Sequence, residues 1–348
     1  MKDFSKHFIL SNSPVRQALE QLDFLAHDLT LFVLNNDNIL LGTLTDGDVR
    51  RGLLKGLNIT DHVSQFMFPN FRYLQKNNYS ISILDELREK KISLIPVLDD
   101  DKKIIRLINL NEKKSILPVD AVIMAGGRGE RLKPLTDSLP KPLIKIGNKP
   151  IIEYNIDRLI DYGVDTIFIT IKYLGQQIID HFGNGEEKGI SINYVEEMQP
   201  LGTIGSVSLI KKFSHDYILV MNSDLLTNID YEDFFRSFII EDADMAVASI
   251  SYNVDIPYAV LEKNQNLITL FKEKPTYTYY SNAGIYLIKR KLLDLIPIEK
   301  QFNATDLMQT LMDKGFKIID FPILGYWLDI GRTEDYNKAQ KDIKHIKF

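Results

Sequence analysis

The chain contains no cysteine. That excludes a disulfide scaffold, a thiolate metal site and a cysteine nucleophile. Histidine is sparse: His7, His27, His62, His181, His215 and His345 are scattered, and none stands at the spacing of a metal motif such as H-E-x-x-H. All six read as structural or surface residues. Tryptophan occurs once, as Trp327. No apolar run reaches membrane-spanning length. The start, MKDFSKHFIL, has neither a long apolar stretch nor a small-residue cleavage site, so a cytoplasmic chain without a membrane partner is expected. Positive charge is not in excess. Lys and Arg number 42 against 47 Asp and Glu, a net charge of −5, which argues against a general nucleic-acid binder.

With 348 residues, the chain is too long for one ordinary core, and two domains are expected. Residues 1–117 read as two copies of one unit, about 1–62 and 63–117. In the first, Leu31-Phe32-Val33-Leu34 and Ile39-Leu40-Leu41-Gly42-Thr43-Leu44 flank a polar turn, Asn35 to Asn38. In the second, Ser93-Leu94-Ile95-Pro96-Val97-Leu98 and Ile104-Ile105-Arg106-Leu107-Ile108 flank Asp99 to Lys103. Each is a hairpin pattern, and an amphipathic helix is expected before each, over 14–25 and 81–90. A unit repeated only twice suggests a pseudo-symmetric pair rather than a solenoid.

From Val119 the grammar changes. Apolar strands over 121–125, 166–171, 190–195 and 218–221 alternate with helical segments. Ile152, Ile156, Leu159 and Ile160 share one helix face, and Gly163 ends that helix. The alternation predicts an α/β domain over 118–348: an open, mixed, mainly parallel sheet with helices on both faces. The boundary is expected at Leu117-Pro118.

The first of these strands runs into Ala125-Gly126-Gly127-Arg128-Gly129-Glu130-Arg131-Leu132. A strand entering a glycine-rich turn can hold phosphates, because backbone N–H groups point inward and glycines permit close approach. It is not a P-loop, which needs G-x-x-x-x-G-K-[ST]. Nor is it a dinucleotide fingerprint, because Pro134 and Pro140 break any following helix. Arg128, Arg131, Lys133 and Lys141 stand within fourteen residues, which suits a triphosphate wrapped by an extended loop.

AGGRGERLKPLT followed by Pro140-Lys141-Pro142 resembles the signature of the sugar-1-phosphate nucleotidyltransferases, the family that makes NDP-sugars. The resemblance extends over about 119–345. Glu130 departs from it, since many members have threonine there, and it is given no role. The resemblance implies a Rossmann-like, GT-A-like domain and attack by a sugar-1-phosphate oxygen on the α-phosphorus of an NTP, with release of pyrophosphate. Ala125, Gly126, Gly127, Gly129 and Arg131 would then bind the nucleotide phosphates. Arg131 would hold the leaving pyrophosphate, and Lys141 would bridge the α-phosphate and the sugar phosphate. Asp224, where a strand runs into a turn, and Asp329 would hold Mg²⁺, with Asp224 counted as catalytic.

Other blocks follow in order. Gln199-Pro200-Leu201-Gly202-Thr203 resembles the family segment beside base and ribose, and is expected to open a helix with Thr203 as its cap. Gly202 would let the base stack against backbone. Glu196 and Glu197 could accept hydrogen bonds from base or sugar. Glu273-Lys274-Pro275 and Asn282-Ala283-Gly284 resemble the sugar-binding blocks, so Glu273 and Asn282 would bind sugar hydroxyls, Lys274 would bind the sugar phosphate with Lys141, and Gly284 would allow close approach. Trp327 would pack so as to orient Asp329.

In the front half, Gly42-Thr43-Leu44-Thr45-Asp46-Gly47-Asp48 resembles the closing motif of a cystathionine-β-synthase (CBS) domain, and the two repeats fit one α+β CBS pair. Thr45 and Asp48 would then meet a phosphate and the ribose of a purine nucleotide effector. The second repeat departs, with Arg106 for glycine, Asn109 for the hydroxyl and Glu112 for the aspartate, which weakens that half; Glu112 could still meet a ribose. CBS pairs often stack, so a homo-oligomer is expected.

The resemblance is closest to members that activate sugars with guanylyl or cytidylyl groups. It points to GTP with glucosamine-1-phosphate or mannose-1-phosphate, in nonulosonic (legionaminic) acid or surface-glycan biosynthesis. The alternative is a catalytically silent sensor of a nucleotide or nucleotide sugar. The presence of Arg131, Lys141, Asp224 and Asp329 together argues against it.

Overall fold

The computed structural model describes residues 4–25, 29–76 and 79–347; His27 lies outside them. The chain divides into two compact units, one chiefly residues up to Pro118 and the other chiefly from Val119 onward.

In the front unit β1 (Phe8–Leu10) leads through α1 (Val15–Leu25) to the hairpin β2 (Thr30–Leu34) and β3 (Leu40–Thr45), which feeds α2 (Asp46–Leu54). The second half begins with β4 (Leu74–Gln75) and continues through α3 (Ile83–Glu89) to the hairpin β5 (Leu94–Leu98) and β6 (Ile104–Asn109). Each half makes a three-stranded sheet of the same order: a parallel pair, β1 with β2 and β4 with β5, then the antiparallel hairpin partner. The helix α1 turns Val15, Ala18, Leu22 and Leu25 inward against Leu31, Val33 and Leu44, the face its apolar spacing dictates.

The second unit contains β7 (Val119–Met124), a short hairpin of β8 (Lys145–Ile146) and β9 (Lys149–Pro150), α4 (Ile151–Asp161), β10 (Thr166–Ile171), α5 (Gly175–Phe182) and β11 (Ser191–Glu196). Then come β12 (Tyr217–Asn222), β13 (Leu225–Thr227), α6 (Tyr231–Ile240), β14 (Met245–Asp255), β15 (Val260–Asn264), β16 (Leu267–Lys272) and β17 (Thr276–Lys289). It closes with α7 (Ala304–Asp313), β18 (Ile318–Pro322), β19 (Trp327–Asp329) and α8 (Thr333–Asp342).

Seven strands form the central sheet in the order β11-β10-β7-β12-β17-β14-β18. The run β11, β10, β7, β12 is parallel, while β17 is antiparallel to both neighbours. Strands buried on both faces read as continuous apolar runs, as in Ile218-Leu219-Val220-Met221. Val122 and Val220 pack toward Leu307 and Leu311 of α7, while their flanking residues Ala121, Ile123, Leu219 and Met221 are buried on the opposite face. The chain leaves β7 for β10 on one side and returns to β12 on the other. An α/β sheet opens a crevice at such a switch, beyond the carboxyl ends of its strands.

Among the described residues no helix is long and apolar enough to cross a membrane. One expected helix is absent. The segment from Pro200 is loop followed by a single 3₁₀ stretch, Gly205–Leu209. Thr203 caps a different helix: its Oγ1 accepts from the Ala304 N–H, and its own N–H donates to Asn303 Oδ1, at the start of α7.

Candidate active site

At the switch point lies a cleft of about 770 Å³. Three strand ends open into it. Met124 ends β7 and Ala125 through Arg131 follow it, Lys172 follows β10, and Asn222 ends β12 with Ser223 and Asp224 just beyond. Lys141, Glu197, Gly202, Thr203 and Gly331 complete the walls.

The glycines have separate physical reasons. Gly129 has φ of 63° and a Cβ there would stand 3.0 Å from the Lys141 Cβ, so the turn closes on the lysine-bearing segment. Its carbonyl accepts from Thr136 Oγ1 at 2.9 Å, which pins the loop. At Gly126 a Cβ would lie 2.9 Å from Glu197 Oε1, whereas at Gly127 it would meet nothing within 4 Å, so backbone there faces the open cleft. Ala125 is buried and its N–H donates to the Thr170 carbonyl, extending the strand pairing to the lip.

The charged residues meet from distant parts of the chain. Leu132, Leu328 and Ile330 share one buried cluster, which brings their neighbours Arg131 and Asp329 near one another. Leu225 of β13 pairs with Asp329 of β19, and the Ile330 N–H donates to the Asp224 carbonyl at 3.0 Å. Asp224, the residue just before β13, therefore lies beside Asp329 of β19. Lys141 Nζ is ion-paired with Asp224 Oδ2. Arg131 reaches Gly331, its Nη2 lying 3.3 Å from where a Cβ on that glycine would be. Trp327 Nε1 donates to the Ala283 carbonyl at 2.9 Å, tying β19 to β17 two residues from Asp329.

Asp224 Oδ1 and Asp329 Oδ1 are both buried and accept no hydrogen bond. Burial pushes the Asp329 carboxyl up to about 6; the Asp224 carboxylate adds to the rise, and Lys141 and Arg131 oppose it. Two buried carboxylates with free oxygens fit a hard divalent cation, which prefers oxygen donors. Among the described residues no group of three or more His, Cys, Asp or Glu could hold a metal.

Gly284 lies beside the cleft: its φ is 72°, and a Cβ would come 2.6 Å from Asn222 Nδ2. Asn282 is turned to its own strand, donating to Tyr286 Oη at 2.9 Å and accepting from the Gly284 N–H at 2.8 Å. Glu273 and Lys274 are exposed in the turn between β16 and β17 and do not line the cleft. Gln199 is also outside it, its Nε2 donating to the Glu299 carbonyl at 2.7 Å. Gly202 has φ of 80°, and a Cβ would stand 2.6 Å from the Phe302 carbonyl oxygen, so that glycine admits a neighbouring chain. Lys172 and Asn222 were not singled out in the sequence, although each ends a buried parallel strand.

In the front unit, Thr45 and Asp48 form a capping box on α2. Thr45 Oγ1 lies 2.6 Å from Asp48 Oδ2, the Thr45 N–H donates to the same oxygen at 2.9 Å, and Arg51 pairs with Oδ1. Glu112 is exposed in the turn after β6.

A glycine-lined, cationic crevice at the switch point of a mainly parallel sheet, with two free carboxylate oxygens, defines an enzyme site for phosphate chemistry. The profile of the nucleotidyl transferase family matches residues 120–346, and the chain belongs to that family. It is a nucleotidyltransferase. It is 31% identical over 232 residues to the D-glycero-α-D-manno-heptose 1-phosphate guanylyltransferase of Aneurinibacillus thermoaerophilus, covering 65% of this chain and 99% of that one. It is 31% identical over 224 residues to the mannose-1-phosphate guanyltransferase of Pichia angusta, covering 62% of this chain but only 61% of that protein. Among solved structures, HddC from Yersinia pseudotuberculosis superposes with a TM-score of 0.51 at 28% identity, covering 65% of this chain and 99% of that one. The same protein complexed with GMP-PN gives a TM-score of 0.50 at 27% identity, over 65% and 99%.

Proposed function

We propose that the chain transfers a guanylyl group from GTP to a sugar-1-phosphate, releasing pyrophosphate and forming a GDP-sugar. The observation that carries this reading is the meeting of Arg131, Lys141 and Asp224 in one cleft beside the glycine turn, with the buried Asp329 carboxyl close enough to feel all three. Both reactants are anions. The protein has to offset their repulsion and align them, and no side-chain nucleophile is needed.

The Gly126-Gly127 backbone and Arg131 receive the β- and γ-phosphates. Lys141 exchanges Asp224 for the α-phosphate and the phosphate of the sugar. A sugar-phosphate oxygen forms the new bond to the α-phosphorus as the bond to the β-phosphate oxygen breaks, and Arg131 holds the departing pyrophosphate. Mg²⁺ held by Asp224 and Asp329 would supply charge neutralisation at the transferring phosphorus.

Guanine is favoured by two supports. The relatives named above are guanylyltransferases. Glu197 is also 8% exposed, with its carboxylate against Gly126, and a carboxylate can accept from two N–H groups on one edge of guanine. Mannose-1-phosphate and glucosamine-1-phosphate are the acceptors to try first. Gln199, Asn282, Glu273 and Lys274 keep their assigned places in this reading as contacts made once substrate is bound. The front unit is proposed as a CBS-type pair that takes a purine nucleotide through Thr45, Asp48 and Glu112, its support being the repeated sheet order of the two halves.

The test is pyrophosphate release with Mg²⁺, crossing GTP, CTP, UTP, ATP and dTTP with mannose-, glucosamine- and glucose-1-phosphate. Turnover with GTP and one acceptor is expected. Turnover with another nucleotide alone would overturn the guanine assignment.

A further inference from the structure

Of the cations that line the cleft, all but one are engaged. Lys141 is ion-paired with Asp224. Arg131 Nη2 and Asp329 Oδ1 stand 3.3 and 3.6 Å from where a Cβ on Gly331 would be, so that arginine faces a carboxylate. The Arg128 guanidinium lies 5.8 Å from the centre of the Tyr173 ring. Lys172 is the exception. It is half-buried, it lines the cleft, and among the described residues its Nζ has no hydrogen bond or ion pair.

The strands β10 and β11 fix where Lys172 stands. They are parallel and in register as far as Ile171 with Glu196, and the Glu197 N–H donates to the Ile171 carbonyl at 2.9 Å, carrying the pairing one residue further. Lys172 is therefore opposite Glu197, on the same face of the sheet, with the two backbones about 5 Å apart. Opposite charges so placed attract one another across a ladder. These two do not pair. The Glu197 carboxylate is turned to Gly126 and accepts only from the Leu201 N–H, at 3.5 Å. An unpaired ammonium and an almost unpaired carboxylate thus stand side by side in one cleft.

They also stand away from the reacting centre. With the strands in the order β11-β10-β7-β12, Lys172 after β10 is two strand spacings, about 10 Å, from Asn222 at the end of β12. Lys141 and Asp224 mark the phosphate end of the cleft on the β12 side, which leaves the end of β10 and β11 to the nucleoside.

We propose that Lys172 reads the base, its ammonium donating to guanine O6 while Glu197 accepts from N1–H and the 2-amino group. This rests on the reading of the chain as a guanylyltransferase. An ammonium only donates and a carboxylate only accepts. Side by side they match an edge with one acceptor next to donors, which guanine has. Adenine in the same place sets its 6-amino group against the ammonium and brings no N1 proton to Glu197. The pair therefore selects by mismatch as well as by match.

The test separates base from phosphate. Dissociation constants are measured by calorimetry in Mg²⁺ for GTP, ITP, ATP and the triphosphate of 2-aminopurine riboside, with the wild-type chain and with Lys172→Met. Methionine keeps an unbranched stem, and the change orphans no partner. ITP keeps O6 without the 2-amino group. The 2-aminopurine nucleotide keeps that amino group without O6, and its missing N1 proton affects both proteins alike. Lys172→Met is expected to weaken GTP and ITP by about tenfold or more, the scale of a lost charged hydrogen bond. Binding of the 2-aminopurine nucleotide should stay unchanged, which also shows that the variant is folded. Equal weakening of GTP, ITP and the 2-aminopurine nucleotide puts Lys172 on the phosphates and overturns the proposal. GTP affinity unchanged by Lys172→Met overturns it too. A wild-type chain that binds GTP no more tightly than ATP overturns the guanylyl reading itself, a result seen before any variant is made.

Discussion

Lys141 donates to Asp224 across a separation of 83 residues, and both groups are largely withdrawn from water. The cation contributed by the glycine-turn segment therefore offsets one of the two carboxylates at the end of the sheet. Removing it leaves Asp224 and Asp329 facing each other. We expect Lys141→Ala to lose about 3 kcal/mol of stability, the usual cost of orphaning a buried charge. The loss should be smaller in Mg²⁺ than in EDTA. Thermal melts in the two buffers check this; equal losses would show that the carboxylates do not share a cation.

Turnover should collapse when either aspartate loses its charge. Asp224→Asn and Asp329→Asn are each expected to lower kcat by about 10³-fold, the scale for removing a charge that acts on the transition state. Their circular dichroism should match the parent. Chelation of the parent enzyme should reach the same floor, and Mg²⁺ titration should restore the parent alone.

Base choice is expected to depend on Glu197. Glu197→Gln keeps the volume beside Gly126 but replaces one acceptor with a donor. A mispaired buried group costs about 1–3 kcal/mol, so kcat/KM for GTP should fall by roughly 10- to 100-fold. Turnover with ATP should fall less. An equal fall for both nucleotides would remove Glu197 from base recognition.

Gly284→Ala combines two penalties. The backbone is left-handed, which costs a residue with a Cβ about 1–2 kcal/mol, and the added atom meets Asn222. Denaturant unfolding should show at least that loss. KM for the sugar phosphate should rise as Asn222 is pushed toward the cleft, while KM for the nucleotide changes little.

In the front unit, Thr45→Ala removes the cap of α2. A loss of about 1 kcal/mol is expected in the unfolding of that unit. Nucleotide titration of the full chain, with and without the change, tests whether the same threonine also meets a phosphate. Unchanged affinity would confine Thr45 to its capping role.

Much of this could be read in the sequence because it is local. The strand into Gly126-Gly127, the helix carrying Ile152 and Ile156, and the hairpins around Asn35 and Asp99 follow from patterns a few residues long. The cleft's cations stood together because Arg131 and Lys141 lie on one loop. What escaped is set by partners far off in the chain. Gln199 turns to a carbonyl 100 residues away, and Thr203 caps a helix 101 residues on. Gly202 makes room for Phe302. Lys172 and Asn222 carry no motif and gain importance only because β10 and β12 flank β7. The length of β17 escaped for a related reason. Thr276 to Tyr280 alternates as any half-buried strand does, and sequence does not say whether a third strand lies beside it.

That strand has a thermodynamic gradient along its length. The amides from Ile285 onward are held in a seven-stranded sheet and exchange with solvent only when the sheet opens. Those of Thr276 to Tyr280 are held by one neighbour, and exchange when a ribbon parts. A single peptide spanning β17 would thus report two free energies, one for opening the sheet and one for parting the two-stranded ribbon.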